Sequence, residues 1–229
     1  MMDLSVDVLY EDNHLIAINK RPSQIVQSDK TGDPSLAILL KEYIRKKYDK
    51  PGDVYLGIIH RLDRPASGIV LFARTSKALT RMNKLFRDGR IEKTYWVITG
   101  VAPPLNEDRL DHYLKKNEKQ NKSYVFLKPV TGSKLASLEY RLLNHSDRYF
   151  LLEVRLLTGR HHQIRCQLAH IGCPVKGDLK YGFPRSNRDG SIGLHARSLS
   201  FIHPVIKEQV VIHASPPEDK LWVVLTNSL

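Results

Sequence analysis

Apolar positions along this chain fall mostly into short runs separated by polar turns. VDVLY and HLIAINK flank the polar EDNH, and two such runs across so short a turn predict a hairpin near the start. VYLGII at 54–59 predicts a buried strand, and GIVLFART at 68–75 and EKTYWVITG at 92–100 predict two more. Strand-like runs resume at SYVFLKPV, KLASLEYRLL and RYFLLEVRLL, and again at SLSFIHP and EQVVIHA. Helical spacing is rarer. DPSLAILLKEYIRKKYD sets Leu36, Leu39, Leu40, Tyr43 and Ile44 on one stripe, with Asp33 placed to cap it and Pro34 in the first helical position. SKALTRMNKLFRDG sets Leu79, Met82 and Phe86 on one face, with Ser76 as cap and Gly89 as stop. HHQIRCQLAHIG predicts a third helix after the turn TGR, and PPEDKLWVVLTN a closing one that starts at proline. Residues 106–122 are charged and weakly periodic and read as an exposed, mobile excursion. Strand runs that arrive as neighbours favour an α+β fold: a central mixed, mainly antiparallel sheet with flanking helices and loops, in a single domain over 1–229.

Composition narrows the class. With 229 residues, 41% of them apolar, the chain can bury a substantial core. Lysine and arginine number 36 against 24 acids, a net charge of +12, and a surplus that large favours a polyanionic partner such as nucleic acid. Two cysteines make no disulfide framework and suit a reducing compartment. No run approaches the roughly 20 apolar residues of a membrane span, and the first residues carry acids rather than a signal peptide's apolar core. A cytoplasmic protein is expected.

Several stretches could carry chemistry. In HRLDRPASG, Asp63 should sit at a strand end on a loop fixed by rigid elements. A carboxylate there could be a nucleophile, a general base, or one half of an ion pair that pins the loop. TGRHHQIR places Arg160 and Arg165 near a helix start, where a guanidinium suits carboxylate or phosphate, or merely caps and solvates. Tyr95 in EKTY could stack on a base, although its position alone favours the core. His162, Cys166 and His170 share a helical face, but three ligands over two turns of a straight helix cannot close on one zinc ion, so no metal site is expected. Glycine-rich nucleotide loops are absent, and HRLD lacks the companion motifs of a kinase, so no cofactor is expected.

Taken as a set, these stretches resemble the RluA-type family of RNA pseudouridine synthases over nearly the whole chain. VLYEDNHLIAINK is similar to the family's opening hairpin, HRLDRPASGIVLFART to its catalytic segment, EKTYWVITG to its tyrosine segment and TGRHHQIRCQLAHIGCPVKGD to its arginine segment. The HRLDRPxSG form is most like the branch that includes tRNA pseudouridine synthase C, which has no appended S4-type RNA-binding domain. The chain departs from the family pattern in NKRPSQIVQSDKTG, where Arg21 is inserted and a glycine is missing. The resemblance implies the pseudouridine synthase fold, action on tRNA or rRNA as a monomer, and isomerisation of a flipped-out uridine without cofactor. It implies Asp63 as the catalytic aspartate, Tyr95 stacked on the target uracil, and Arg165 paired with Asp63. Arg61 would help displace the base, Leu62 would pack against the site, and Arg64, Arg160 and His162 would face the RNA. On this reading Arg165, and not the neighbouring Arg64, is the ion-pair partner of Asp63. A non-catalytic RNA-binding protein on the same fold is the alternative.

Overall fold

The computed structural model describes residues 6–28 and 32–227. The chain divides into two compact units. The first holds residues 1–91 and 198–215, the second 92–197 and 216–229.

In the first unit β1 (Val8–Glu11) and β2 (Leu15–Lys20) form the expected hairpin. Asp12 closes it, its Oδ1 accepting the N–H groups of His14 and Leu15, both at 2.7 Å. β4 (Ser67–Ala73) lies antiparallel to β2, from Leu15 opposite Ala73 to Lys20 opposite Gly68. Both strands are buried on both faces, which is why they read as unbroken apolar runs rather than alternating ones. Leu15, Ala17, Ile69 and Leu71 pack with Ala78 and Met82 of α2 (Ser76–Arg87). Their strand neighbours Ile16, Ile18, Val70 and Phe72 pack with Leu36 and Leu40 of α1 (Leu36–Lys47). The sheet is therefore clamped between two helices, and its strand ends are rigid supports for the loops they carry.

Three sequence expectations shift here. Asp33 does not cap α1. Ser35 holds the cap position without a side-chain bond to the helix, and Asp33 turns to Arg64. The cap of α2 is Thr75, whose Oγ1 accepts the Ala78 N–H at 3.1 Å, and Ser76 is the first helical residue. Only Gly57–Ile58 (β3) of the run 54–59 pairs with β4; the rest is irregular. Within NKRPSQIVQSDKTG, residues 29–31 lie outside the described set.

The second unit is an antiparallel sheet in the order β5 (Ile91–Thr99), β9 (Phe150–Leu156), β8 (Lys134–His145), β6 (Glu107–Asn117), β7 (Lys122–Phe126). The segment 106–122 is thus not a mobile excursion. Its residues 107–117 are β6, paired with β8 from Glu107 to Leu114 and with β7 from Tyr113 to Asn117. Leu110, His112 and Leu114 alternate inward and are buried, so the strand signal is present but interrupted by charged outward residues. α3 (Gln163–His170) packs Cys166 and Ala169 against Leu114, Val125 and Ala136. α4 (Lys220–Thr226) does not start at proline; Asp219 caps it, and its Oδ1 accepts the N–H groups of Leu221 and Trp222 at 2.8 and 3.0 Å. β10 (Leu194–Ile202) gives its residues up to Arg197 to this unit and the rest to the first, where they pair with β11 (Gln209–His213). Among the described residues the strand pairs within each unit are antiparallel, and with the four α-helices described this is the α+β class expected.

Candidate active site

Asp63 belongs to the first unit, in the loop that leads into β4. The loop is pinned at several points. The Nε2 of His60 accepts the Leu71 N–H at 3.1 Å, and the ring stacks on Phe86 at 5.1 Å. Leu62 packs on the α1 side of the sheet. The Asp63 carbonyl accepts the Ala66 N–H at 3.1 Å, closing a turn, and the Arg64 carbonyl accepts the Ser23 N–H at 2.9 Å. Asp63 itself is half-buried, and Arg61 and Arg64 are exposed. The guanidinium of Arg64 donates to Asp33 at 2.6 Å. An acid next to two bases in sequence is therefore not a simple triplet, because one base is turned toward another carboxylate.

The strongest support under the loop is a residue that sequence reasoning left without a role. Lys20, at the end of β2, is 1% exposed. Its Nζ donates to the carbonyls of Arg21, Arg64 and Ala66. Three acceptors use all three protons of an ammonium. Burial pushes the Lys20 pKa down to about 7, the charge of Asp63 works in the opposite direction, and Arg64 lowers it further. Asp63 and the buried ammonium thus act on each other, while hydrogen bonds fix the backbone on both sides of Pro65. Replacing Lys20 by Met keeps the stem and strands the carbonyls. Lys20→Met is expected to cost about 1–3 kcal/mol, read by urea denaturation. Unchanged stability would remove the lysine from this role.

The second unit holds Tyr95 and Arg165. Tyr95 lies in β5 opposite Val154 of β9 and is half-buried, neither in the core nor fully open. Arg165 is 5% exposed and Asp178 2%. The Nε and Nη2 of Arg165 donate to the two oxygens of Asp178 at 2.6 and 2.9 Å, a bidentate pair that orients the fork. Its guanidinium carbon also lies 5.2 Å from the centre of the Tyr181 ring. The Tyr181 hydroxyl accepts the Ser123 N–H at 2.9 Å and shares a hydrogen bond of 2.9 Å with His162 Nδ1. Burial raises the Tyr181 pKa, so it stays a phenol. His162 occupies the left-handed region at φ 51°, an uncommon conformation for a side chain of its size. The turn before it is held by Gln163, whose Oε1 accepts from Thr158 and from the Arg160 N–H, and whose Nε2 donates to the Ser137 carbonyl.

Arg165 and His162 therefore meet around Tyr181. Arg160 does not join them; its Nε donates to the Leu135 carbonyl and it stays exposed. Cys166 is buried, its pKa pushed up to about 12, and it donates to the Gln163 carbonyl. Among the described residues no group of three His, Cys, Asp or Glu side chains is arranged to hold a metal ion. No described helix is long and apolar enough to cross a membrane.

Residues 14–170, which contain both HRLDRPASG and TGRHHQIR, match the RNA pseudouridylate synthase family. The chain belongs to that family. Ribosomal large subunit pseudouridine synthase D of Yersinia pestis is 31% identical, over 99% of this chain and 71% of its own length. tRNA pseudouridine synthase C of Haemophilus influenzae is 30% identical, over 97% of each. Among solved structures, Human RNA Pseudouridylate Synthase Domain Containing 4 shares the fold at a TM-score of 0.79 with 21% identity, over 95% of this chain and 91% of that one. Membership of the pseudouridine synthases makes the chain an isomerase that acts on RNA. Asp178 and Tyr181 lie beyond the matched segment, and Lys20 lies inside it.

Proposed function

We propose that the chain converts uridine to pseudouridine in tRNA or ribosomal RNA, with both units serving one catalytic domain, as a monomer in the cytoplasm. The observation that carries the reading is Asp63: a half-buried carboxylate on a loop locked from below by Lys20, in a chain of this family. The relatives named for tRNA and for ribosomal RNA match this chain almost equally, so both substrates stay in the proposal.

The reaction breaks the C1′–N1 bond and joins C1′ to C5. The C5 hydrogen leaves as a proton and N1 gains one, so atoms balance without an oxidant or a cofactor. A stacked uridine is out of reach and must be extruded, at a cost of a few kcal/mol. Arg61 would help displace it, and Leu62 would pack beside it. Tyr95 would replace the lost stacking, worth about 1–3 kcal/mol. Asp63 would either attack C1′ or take the C2′ proton, and a carboxylate held in place serves both routes. Arg165 would pair with Asp63. Arg64, Arg160 and His162 would face the RNA. The contacts of Arg160 and His162 fit them to shaping the TGRHHQ turn, and the Asp33 pair leaves part of Arg64 to reach a phosphate.

Tyr95→Leu is expected to abolish turnover and weaken RNA binding, whereas Tyr95→Phe retains RNA affinity. Equal binding and turnover for wild type, Phe and Leu would refute stacking. Mapping pseudouridines across cellular RNA with and without the gene tests the function as a whole. The reading expects at least one site in tRNA or ribosomal RNA to disappear; an unchanged map would contradict it.

A further inference from the structure

The outer face of the β6–β7 hairpin carries side chains that neither the core nor the catalytic residues use. The register sets Tyr113 opposite Phe126, Lys115 opposite Tyr124 and Asn117 opposite Lys122, all on one face. Their neighbours Leu114 and Val125 point the other way, onto the α3 side. Exposed faces of antiparallel sheets are ordinarily polar. Here aromatic rings alternate with lysines, and Tyr124 is 40% exposed. A groove of about 330 Å³ runs along this face, lined by Lys115, Lys116, Asn117, Tyr124 and Phe126.

Charge decides which partner such a face suits. From Tyr113 to Lys134 the chain carries Lys115, Lys116, Lys119, Lys122, Lys128 and Lys134 against one acid, Glu118. Among the described residues, the ion pair in this stretch is Lys116 with Glu118 at 2.6 Å. The opposite end of β6 is different: a groove there is lined by four carboxylates, Glu107, Asp108, Glu139 and Glu153, and by the two guanidiniums of Arg141 and Arg155. The sheet is therefore polarised, and its aromatic end is the basic one. The basic end also leads toward Arg165. The ammonium of Lys122 lies 5.7 Å from the Tyr124 ring and 5.1 Å from the Tyr181 ring, against which Arg165 packs.

We propose that this face is a docking platform for single-stranded RNA, with Tyr124 stacking a base and Lys115 and Lys122 meeting the flanking phosphates. The proposal rests on the reading of the chain as an enzyme of RNA and adds a contact for RNA on the face of β6 and β7 turned away from α3 and Tyr95, with Lys122 joining it to the Tyr181 side. Rings on a sheet stack any base, and lysines beside them attract the backbone, so the platform adds affinity with little sequence preference. Its partner is a flexible or unpaired strand, because aromatic side chains stack on bases that are free of a duplex and not on bases closed in pairs.

The test uses the full chain and a fluorescein-labelled twelve-nucleotide oligouridylate, with fluorescence anisotropy at several salt concentrations. Tyr124→Ala is expected to weaken binding about tenfold, and Tyr124→Phe to stay near wild type. Lys115→Ala is expected to weaken binding and flatten the salt dependence by about one counterion. Thermal midpoints should stay near wild type, because these side chains are outside the core. Tyr124→Ala binding as tightly as wild type would overturn the platform. So would a wild-type dimer that Tyr124→Ala dissociates while oligouridylate affinity is unchanged, since the face would then be a contact between copies. Pseudouridine formation on bulk tRNA separates the two readings. An inactive wild type that still loses oligouridylate with Tyr124→Ala keeps the platform and removes the enzyme, and an active enzyme with no loss does the reverse.

Discussion

Asp178→Asn is expected to lower stability by about 3–5 kcal/mol, although the side chain keeps its shape. The Asp178 carboxylate takes both the Nε and Nη2 protons of Arg165, and neither residue is exposed enough for water to substitute. Removing one charge leaves a buried guanidinium without its counter-ion, the costly way to break such a pair. For a chain of this size that loss corresponds to a fall of roughly 10 °C in melting temperature. The double change Arg165→Met with Asp178→Leu should recover much of the stability, because apolar replacement of a buried pair is often neutral. It should not recover activity if Arg165 serves Asp63. Calorimetry and turnover on the same three proteins check this, and an Asp178→Asn protein within 1 kcal/mol of wild type would contradict it.

How far the sequence carried this account differs by element. β2 and β4 were legible because burial on both faces gives unbroken apolar runs. The hidden strand was β6, where outward charges dilute the alternation of Leu110, His112 and Leu114, and only pairing with β8 reveals it. Caps slipped because several polar residues precede each helix and only geometry chooses among them. Thr75 and Asp219 bond the backbone, while Asp33 is taken by Arg64. Asp63, Tyr95 and Arg165 were singled out by motif. Their supports were not, since a lysine after an apolar run normally reads as a strand end at the surface. Lys20 instead turns inward beneath the loop, and Asp178, thirteen residues after Arg165, becomes its partner only through the fold.

Asp63→Asn is the second large effect. The substitution keeps the size and the backbone hydrogen bonds of the loop, so folding and RNA affinity should stay near wild type. An amide neither attacks C1′ nor accepts the C2′ proton usefully. Turnover should fall about a thousandfold or more, at least roughly 4 kcal/mol of barrier. Loss of RNA binding in parallel would instead mark Asp63 as part of the docking surface. Removing the Asp63 charge also removes the influence that raises the Lys20 pKa, so the melting temperature of the variant is measured beside its turnover to separate loss of the carboxylate from loosening of the loop.

The most direct measurement is release of tritium from RNA labelled at C5 of uridine, because the isomerisation expels that hydrogen and RNA binding alone does not. The wild-type chain is expected to release tritium from bulk tRNA or ribosomal RNA in proportion to pseudouridine formed, and Asp63→Asn to release none above background while still binding the RNA. Tritium release by Asp63→Asn at a rate near wild type would contradict the account.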